Sequence, residues 1–586
     1  MGWWLGRRVL LLSVVWLGAV TPAIAQSVGF MGTETTLPSL QQPIPRQYLE
    51  LGQQLEALQD RWESSQLTHQ ALLTPDGRKA IALEQQTFRD KLQAHIDSYY
   101  DLLQAGNLAI ATTEAQNIYQ LVEAEYLQNP PQSDPEVRAI WLDRAAIVAA
   151  QNEAGLAQLF DRFAAAGIQM VFMETVNASY PIFPSKVAPE QNPLLNGWDA
   201  LASGVKLAHA RQMELHAWTW IFVAANQQHN EILGQPADYL GPVLSQHPDW
   251  AAGDRQGNLF HPQSGKAFFD PANPEVQQYL LDLLTEIATE YDVDGIQFDY
   301  IRYPFHNVAK DEVYGFGIAA RNAFWRQTYY DPINIKIYER RWREWQDFRI
   351  AQINHFVAIA AQTLREERPD LILSAAVFAI PQGDRLEQIQ QNWEAWIENG
   401  EIDMLVPMTY ASTTPALNNL TDSLMASFPT KGTLLLPSIR LLDLEPGVAL
   451  DQQQLLRQLP TIGTALFAAS NLSDRLTQSF GATPSALPHR DPLGAIAQRF
   501  RTLQQEWNLS FTEKPWQGAA QSFQLKLALL QQEPTSKNLF LTRNEWQRFR
   551  QTIAPHLNAY GKTHPYQAEV WQNRLDTIEQ LLNYAD

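Results

Sequence analysis

The chain has 586 residues, too many for one ordinary domain, and a globular composition with 45% apolar and 18% charged residues. Its 63 acidic against 43 basic residues give a net charge of −20, which disfavours nucleic acid, whose binders need a basic surface. Cysteine is absent, which excludes disulfides, thiol chemistry and lipid anchoring through Cys.

Along the chain, Arg7 and Arg8 precede an apolar stretch from Val9 to Val20, and Ala23-Ile-Ala25 supplies a small-residue cleavage site. This layout predicts a signal peptide over 1–25, cut before Gln26. The protein is then expected to work in the periplasm, the envelope or the medium, free or held peripherally at the wall. An uncleaved anchor is the alternative, against which the short apolar core argues. Pro38, Pro43 and Pro45 mark 26–46 as a linker. Over 47–128 the spacing of Leu51, Leu55, Leu58 and Trp62 is helical, with breaks at Thr74-Pro-Asp-Gly77 and Ala105-Gly-Asn107. Two or three antiparallel helices are expected there, as a spacer or cap, or else as a wall-binding module.

From 137 to 472 short apolar runs alternate with amphipathic stretches. Strands are predicted at Val137–Leu142, Ile168–Glu174, Glu214–Trp220, Val293–Asp299, Leu371–Phe378, Ile402–Thr409, Leu434–Arg440 and Thr464–Ala469. Helical segments separate most of them, among them Glu153–Ala166, Gly197–Gln212, Pro274–Tyr291, Tyr338–Glu367 and Arg385–Glu398. The fold class is α/β, a (β/α)8 TIM-type barrel with N- and C-terminal helical additions. A doubly wound sheet would carry a Gly-rich turn after its first strand, and Trp141-Leu-Asp-Arg144 is not one. Long insertions, Val223–Asn273 and Phe305–Ile337, follow the third and fourth strands on the face where barrel active sites lie. Residues 490–586 read as helices carrying Trp507, Trp516, Trp546 and Trp571, for packing on the barrel or for ligand.

Alternate strand residues point inward, and only the last of them meet solvent. Reading each strand for its final polar residues collects Asp143, then Glu174 with Asn177 and Tyr180, then His216, Trp218 and Trp220 on one face. It adds Asp299 with Tyr300 and Arg302, then Tyr410, and Ser438 with Arg440. Carboxylates with aromatic faces and hydrogen-bonding side chains have the composition of a sugar site. Glycoside hydrolysis needs two carboxyls, or one carboxyl and help from the substrate. Asp299 is the leading catalytic candidate and Glu174 the second. Asp143, Asn177, Tyr180, His216, Trp218, Trp220, Tyr300, Arg302, Tyr410 and Arg440 are expected to bind substrate. The rival roles are an Asp299–Arg302 ion pair and a Glu174 that only orients Asn177 or Arg302. Asp294 and Asp403 stand at strand starts and read as structural, and Asp270 as structural or rim-forming. No His-x-His, His-Glu-x-x-His, Gly-x-Ser-x-Gly or phosphate loop occurs, so neither metal nor cofactor is assigned.

Arg138-Ala-Ile-Trp-Leu142, His216-Ala-Trp218, Asp294-Gly-Ile-Gln-Phe-Asp-Tyr300, Arg302-Tyr-Pro304, Trp393, Trp396, Ile402-Asp403 and Pro407-Met-Thr-Tyr410 follow one another in an order that resembles the family 10 glycosyl-hydrolase-like proteins. The resemblance implies an exported TIM barrel acting on envelope or extracellular polysaccharide, with peptidoglycan strands stripped of stem peptides as the leading substrate. Many members have two consecutive acids where this chain has Asp299-Tyr300, and Gln where it has Glu174. A glycan-binding protein without catalysis, or a structural envelope protein, is the alternative function.

Overall fold

The computed structural model describes residues 43–429, 431–481 and 487–585. The expected signal peptide and nearly all of the expected linker lie outside them. Three helices open the described chain: α1 (Arg46–Leu72), α2 (Pro75–Gln104) and α3 (Leu108–Gln128). The break before α2 is built from a Thr74 cap, whose hydroxyl accepts from Gly77 N at 3.2 Å, and from proline at the first helical position.

Eight parallel barrel strands follow: β1 (Val137–Leu142), β2 (Met170–Asn177), β3 (Glu214–Trp220), β4 (Gly295–Asp299), β5 (Ile372–Phe378), β6 (Met404–Met408), β7 (Leu434–Leu435 with Ser438–Arg440) and β8 (Gly463–Phe467). The strand read as continuous from Leu434 to Arg440 is two pieces, Leu434–Leu435 and Ser438–Arg440. Pro437 between them has no N–H to give a neighbour. The first piece pairs with β6 and the second with β8, so β7 closes the sheet into a barrel. The helix expected over Arg385–Glu398 is likewise divided, into Gln382–Ile389 and Trp393–Glu398, with Gln390 at φ 52° between them.

The barrel floor uses one device twice. Asp294 accepts from Leu215 N, and Asp403 from Leu373 N, each at 2.8 Å, so each carboxylate braces the start of the preceding strand. Terminal helices are tied to the barrel by buried ion pairs. Arg61 of α1 makes a two-pronged pair with Asp451 at 2.6 and 2.8 Å. Arg574, in the helix Pro565–Tyr584, meets both Glu506 and Asp134. The four C-terminal tryptophans are buried, Trp546 against Phe500 and Phe523, and Trp507 against Phe549, Trp516 and Trp571. They form the core of that helical region and offer no face to a ligand.

The two insertions build one rim over the barrel mouth. In the first, Val223–Asn226, Lys266–Phe268 and Phe260–His261 make an antiparallel sheet with Lys266–Phe268 in the middle. It is seated on β4 through the 2.8 Å bond from Ile221 N to the Asp299 carbonyl. The second insertion shares a small core with the helix that follows it: its Phe316 and Phe324 pack on Trp345 and Phe348 of Arg340–Glu367. Arg255 links the two insertions, donating to the carbonyls of Ile333 and Ile335 at 2.5 and 2.6 Å. Asp270, buried, accepts from Ala272 N and Ala320 N and so pins both insertions.

Candidate active site

A cavity of about 210 Å3 opens among the C-terminal ends of the barrel strands. Its walls are Trp141, Trp218, Trp220, Tyr300, Phe378, Met408, Tyr410 and Phe467, with Ala376, Arg302 and a single carboxylate, Asp299. Inward parity explains this set. Trp220 pairs with Asp299, and Trp218 with Gln297, across the β3–β4 ladder, so they form two inward layers.

Asp299 is 8% exposed. It accepts Trp218 Nε1 at 2.9 Å and Tyr300 N at 2.6 Å. Burial pushes its pKa above the usual carboxylate value, against those two donors and the charges of Arg302 and Lys266. The Asp299–Arg302 ion pair considered above is not formed. Tyr300 stands at φ 49°, a left-handed conformation that costs a non-glycine residue about 1 kcal/mol or more. That turn aims its amide back at Asp299 and lays its ring 4.5 Å from Trp220.

Glu174 is in the same neighbourhood without reaching the cavity wall. In register it is level with Trp218 and Gln297, one inward layer below Asp299. Arg144 N donates to it at 2.6 Å and Asn177 Nδ2 at 2.5 Å. Burial lifts its pKa to about 7, over the opposing effect of those donors and the Arg144 charge. Glu174 therefore holds a proton near neutrality more readily than an ordinary carboxyl does.

Two cations face the acids. Arg302 lines the cavity, and Lys266 lies 5.7 Å from the ring centroids of both Trp220 and Tyr300. Burial and the Arg302 charge lower the Lys266 pKa, while Asp299 and Glu174 act the other way. Lys266 was missed in the sequence because it belongs to no barrel strand. Trp141 and Phe378 could have been found there, since both sit at inward positions near strand ends.

Several expected substrate residues lie elsewhere. His216 is the clearest correction. It shares the inward face with Trp218 and Trp220 but sits four residues below Trp220, roughly 13 Å deeper at strand rise. It is fully buried against Phe172 and bonded to Glu214 at 3.1 Å. Tyr180 is turned away as well. Ala178 and Ser179, at φ 48° and 69°, reverse the chain, and the Tyr180 ring packs on His229. Asp143 caps the helix Arg144–Ala150 through Ala146 N at 3.0 Å and does not line the cavity. Asn177 serves Glu174 and Arg144 rather than the cavity. Arg440 is exposed at the rim on the Tyr410 side.

Among the described residues, Glu214, His216 and His489 could offer three metal-ligand atoms within 4.8 Å of one another. They lie at the floor, away from the cavity. Arg490 bonds the same Glu214 carboxylate and already supplies the positive charge a cation would bring. The cluster ties the segment before the C-terminal helices to the barrel.

The family described as Glycosyl hydrolase-like 10 matches this chain over residues 136–430. The chain belongs to that family. Its relatives include the Glycosyl hydrolase YngK of Bacillus subtilis (strain 168), 23% identical over a 310-residue alignment that covers 48% of this chain and 55% of that protein. The Glycosyl hydrolase DigH of Escherichia coli (strain K12) is 24% identical over a 344-residue alignment that covers 52% of this chain and 69% of that protein. The chain thus spans little more than half of the Bacillus relative. Among solved structures, the PgaB (BpsB) glycoside hydrolase domain from Bordetella bronchiseptica aligns with a TM-score of 0.46 at 12% identity, covering 60% of this chain and 100% of that one.

Proposed function

We propose that this family member is an exported glycoside hydrolase that cleaves a cell-envelope or extracellular polysaccharide, with peptidoglycan glycan strands free of stem peptides as the first substrate to try. The observation that carries the reading is Asp299, the one carboxylate on an aromatic-walled cavity at the catalytic end of the barrel. Two relatives that bear the name glycosyl hydrolase support it. Trp218 and Trp220 with Tyr300 and Tyr410 offer faces for the apolar sides of pyranose rings. Asp299 acts on the glycosidic bond as one catalytic carboxyl. Glu174, one inward layer below Asp299, is the proposed second carboxyl. Its pKa near 7 lets it hold a proton at neutral pH, as a general acid must, and it reaches the bond only if its contacts with Arg144 N and Asn177 give way. The apolar N-terminal stretch supports export.

The test is release of reducing ends from purified stem-free glycan strands. Asp299→Asn should lower the rate about 100-fold or more while leaving the thermal unfolding profile in place. Tight binding of glycan with no new reducing ends, across a panel of envelope polysaccharides, would overturn the enzyme reading in favour of a binding protein.

A further inference from the structure

Arg302 is only 7% exposed, yet among the described residues it forms no ion pair. Its one hydrogen bond runs from Nη1 to the Tyr303 carbonyl at 2.8 Å. The guanidinium lies 4.9 Å from the ring centroid of Tyr300, 5.1 Å from those of Phe305 and Phe378, and 5.8 Å from that of Phe268. The cavity is its remaining side. Most other buried arginines are better provided for, and Arg499, which likewise has one acceptor, the Pro135 carbonyl at 2.7 Å, has the charges of Asp134 and Glu136 beside it. Arg61, Arg385 and Arg574 each meet a carboxylate. Arg349, which has none, donates to the Tyr314 carbonyl and to Gln346 and His306. A buried guanidinium with one acceptor is costly unless a ligand completes its shell.

Lys266 adds a second cation at the same place. It is half-buried over Trp220 and Tyr300 and also lacks an ion pair among the described residues. Against the two cations the cavity wall sets one carboxylate, Asp299, which is occupied by Trp218 and Tyr300. With Glu174 below them holding a proton, the local balance is one positive charge in a protein whose net charge is −20. A singly charged anion would neutralise it, whereas a doubly charged phosphate would leave a dry cavity negative.

We propose that Arg302 and Lys266 form a subsite for a carboxylate carried on the sugar in this cavity, so that the glycan taken here is an acidic one. The planar fork of Arg302 suits a carboxylate, and Trp220 with Tyr300 would carry the ring that bears it. Either a lactyl ether on an amino sugar or a hexuronic acid supplies this chemistry. The inference rests on the hydrolase reading only in taking the ligand to be a glycan.

The test uses the full chain in an Asp299→Asn background and two matched pairs of oligosaccharides. One is a lactyl-bearing amino-sugar tetrasaccharide and its counterpart with the carboxylates reduced to alcohols. The other is a tetragalacturonide and its reduced form. In calorimetric titration the acidic member of one pair should bind about 10- to 100-fold more tightly than its neutral twin. The pair that responds identifies the source of the carboxylate. Adding Arg302→Gln should bring that ratio to within about threefold, with Arg302→Lys restoring part of it. Lys266→Met, at a half-exposed position that tolerates replacement, should lower the ratio several-fold and weaken its dependence on salt. Equal affinity within both pairs, absence of binding to all four sugars, or a preference unchanged in Arg302→Gln and Lys266→Met would overturn the proposal. Hydrolysis by the unmodified chain is followed on the same sugars. Binding preference without reducing ends would sink the hydrolase and leave this subsite. Equal cleavage of acidic and neutral members would do the reverse.

Discussion

Replacing Trp218 by Phe keeps an aromatic ring on the cavity wall and removes one hydrogen bond to Asp299. The bond is 2.9 Å long and both partners are buried, so solvent cannot replace the lost donor cheaply. A hydrogen bond to a charged acceptor in such a place contributes about 1.5 kcal/mol. One pKa unit corresponds to about 1.4 kcal/mol, so losing the donor should raise the Asp299 pKa by about one unit. The direction follows from the chemistry: an indole N–H stabilises the ionised carboxylate, and its removal favours the protonated form. Tyr300 N still donates and Arg302 and Lys266 remain, which keeps the rise from being larger. The assay is the pH dependence of kcat/KM for the unmodified chain and Trp218→Phe on one soluble oligosaccharide. Whichever limb of the profile Asp299 controls should move about one unit toward higher pH, with less than threefold change at the plateau. If both limbs stay in place, or one moves downward, Asp299 is not the group that the profile reports and the hydrogen-bond argument fails.

Other outcomes can be stated more briefly. Glu174→Gln should cost at least 100-fold in kcat and abolish a basic limb near pH 7; if only Asp299→Asn loses activity, the reaction uses one carboxyl. Gly295→Ala should lower the melting temperature and cost about 1–3 kcal/mol, because a Cβ there would lie 2.3 Å from His216 Nδ1 and 2.6 Å from the Ile372 carbonyl; an unchanged Tm would show that the floor can give way. Glu136 is pushed up by burial, but the two-pronged pair with Arg457 and the Arg138 charge prevail and bring it to about 2. The unfolded chain therefore binds the extra proton, and roughly 3 kcal/mol of stability present above pH 4.5 should drain away as pH falls toward 2. Thermal scans should show a shallower acid decline for Glu136→Gln, and parallel declines would refute the assignment.

Much of this site could be read from the strand pattern, because alternation along a buried strand is a local property. The segment Gly295–Asp299 sets Asp299 on the inward face at a strand end whatever else the chain does. The same rule picks Trp218, Trp220 and Tyr410 as wall residues. Alternation says which face a residue takes, however, and not how deep it lies or what covers it. His216 has the right parity and the wrong depth. Glu174 has the right strand, but it lies one layer below Asp299 with its oxygens held by Arg144 N and Asn177, and Arg144 opens the helix after a different strand. Tyr180 follows two residues whose left-handed turn no periodicity announces.

Chain order and apolar spacing by themselves determined the barrel, its helical additions and the address of Asp299, since each rests on contacts within a strand or helix. Tertiary structure alone decided that a proline-broken β7 still closes the ring, and that the terminal tryptophans fill a core. It also brought Lys266 over Trp220 and Tyr300 through an antiparallel sheet folded inside a long insertion. Such pairing joins residues far apart in the chain, and its register is set by what the insertion packs against, not by any repeat in its own sequence.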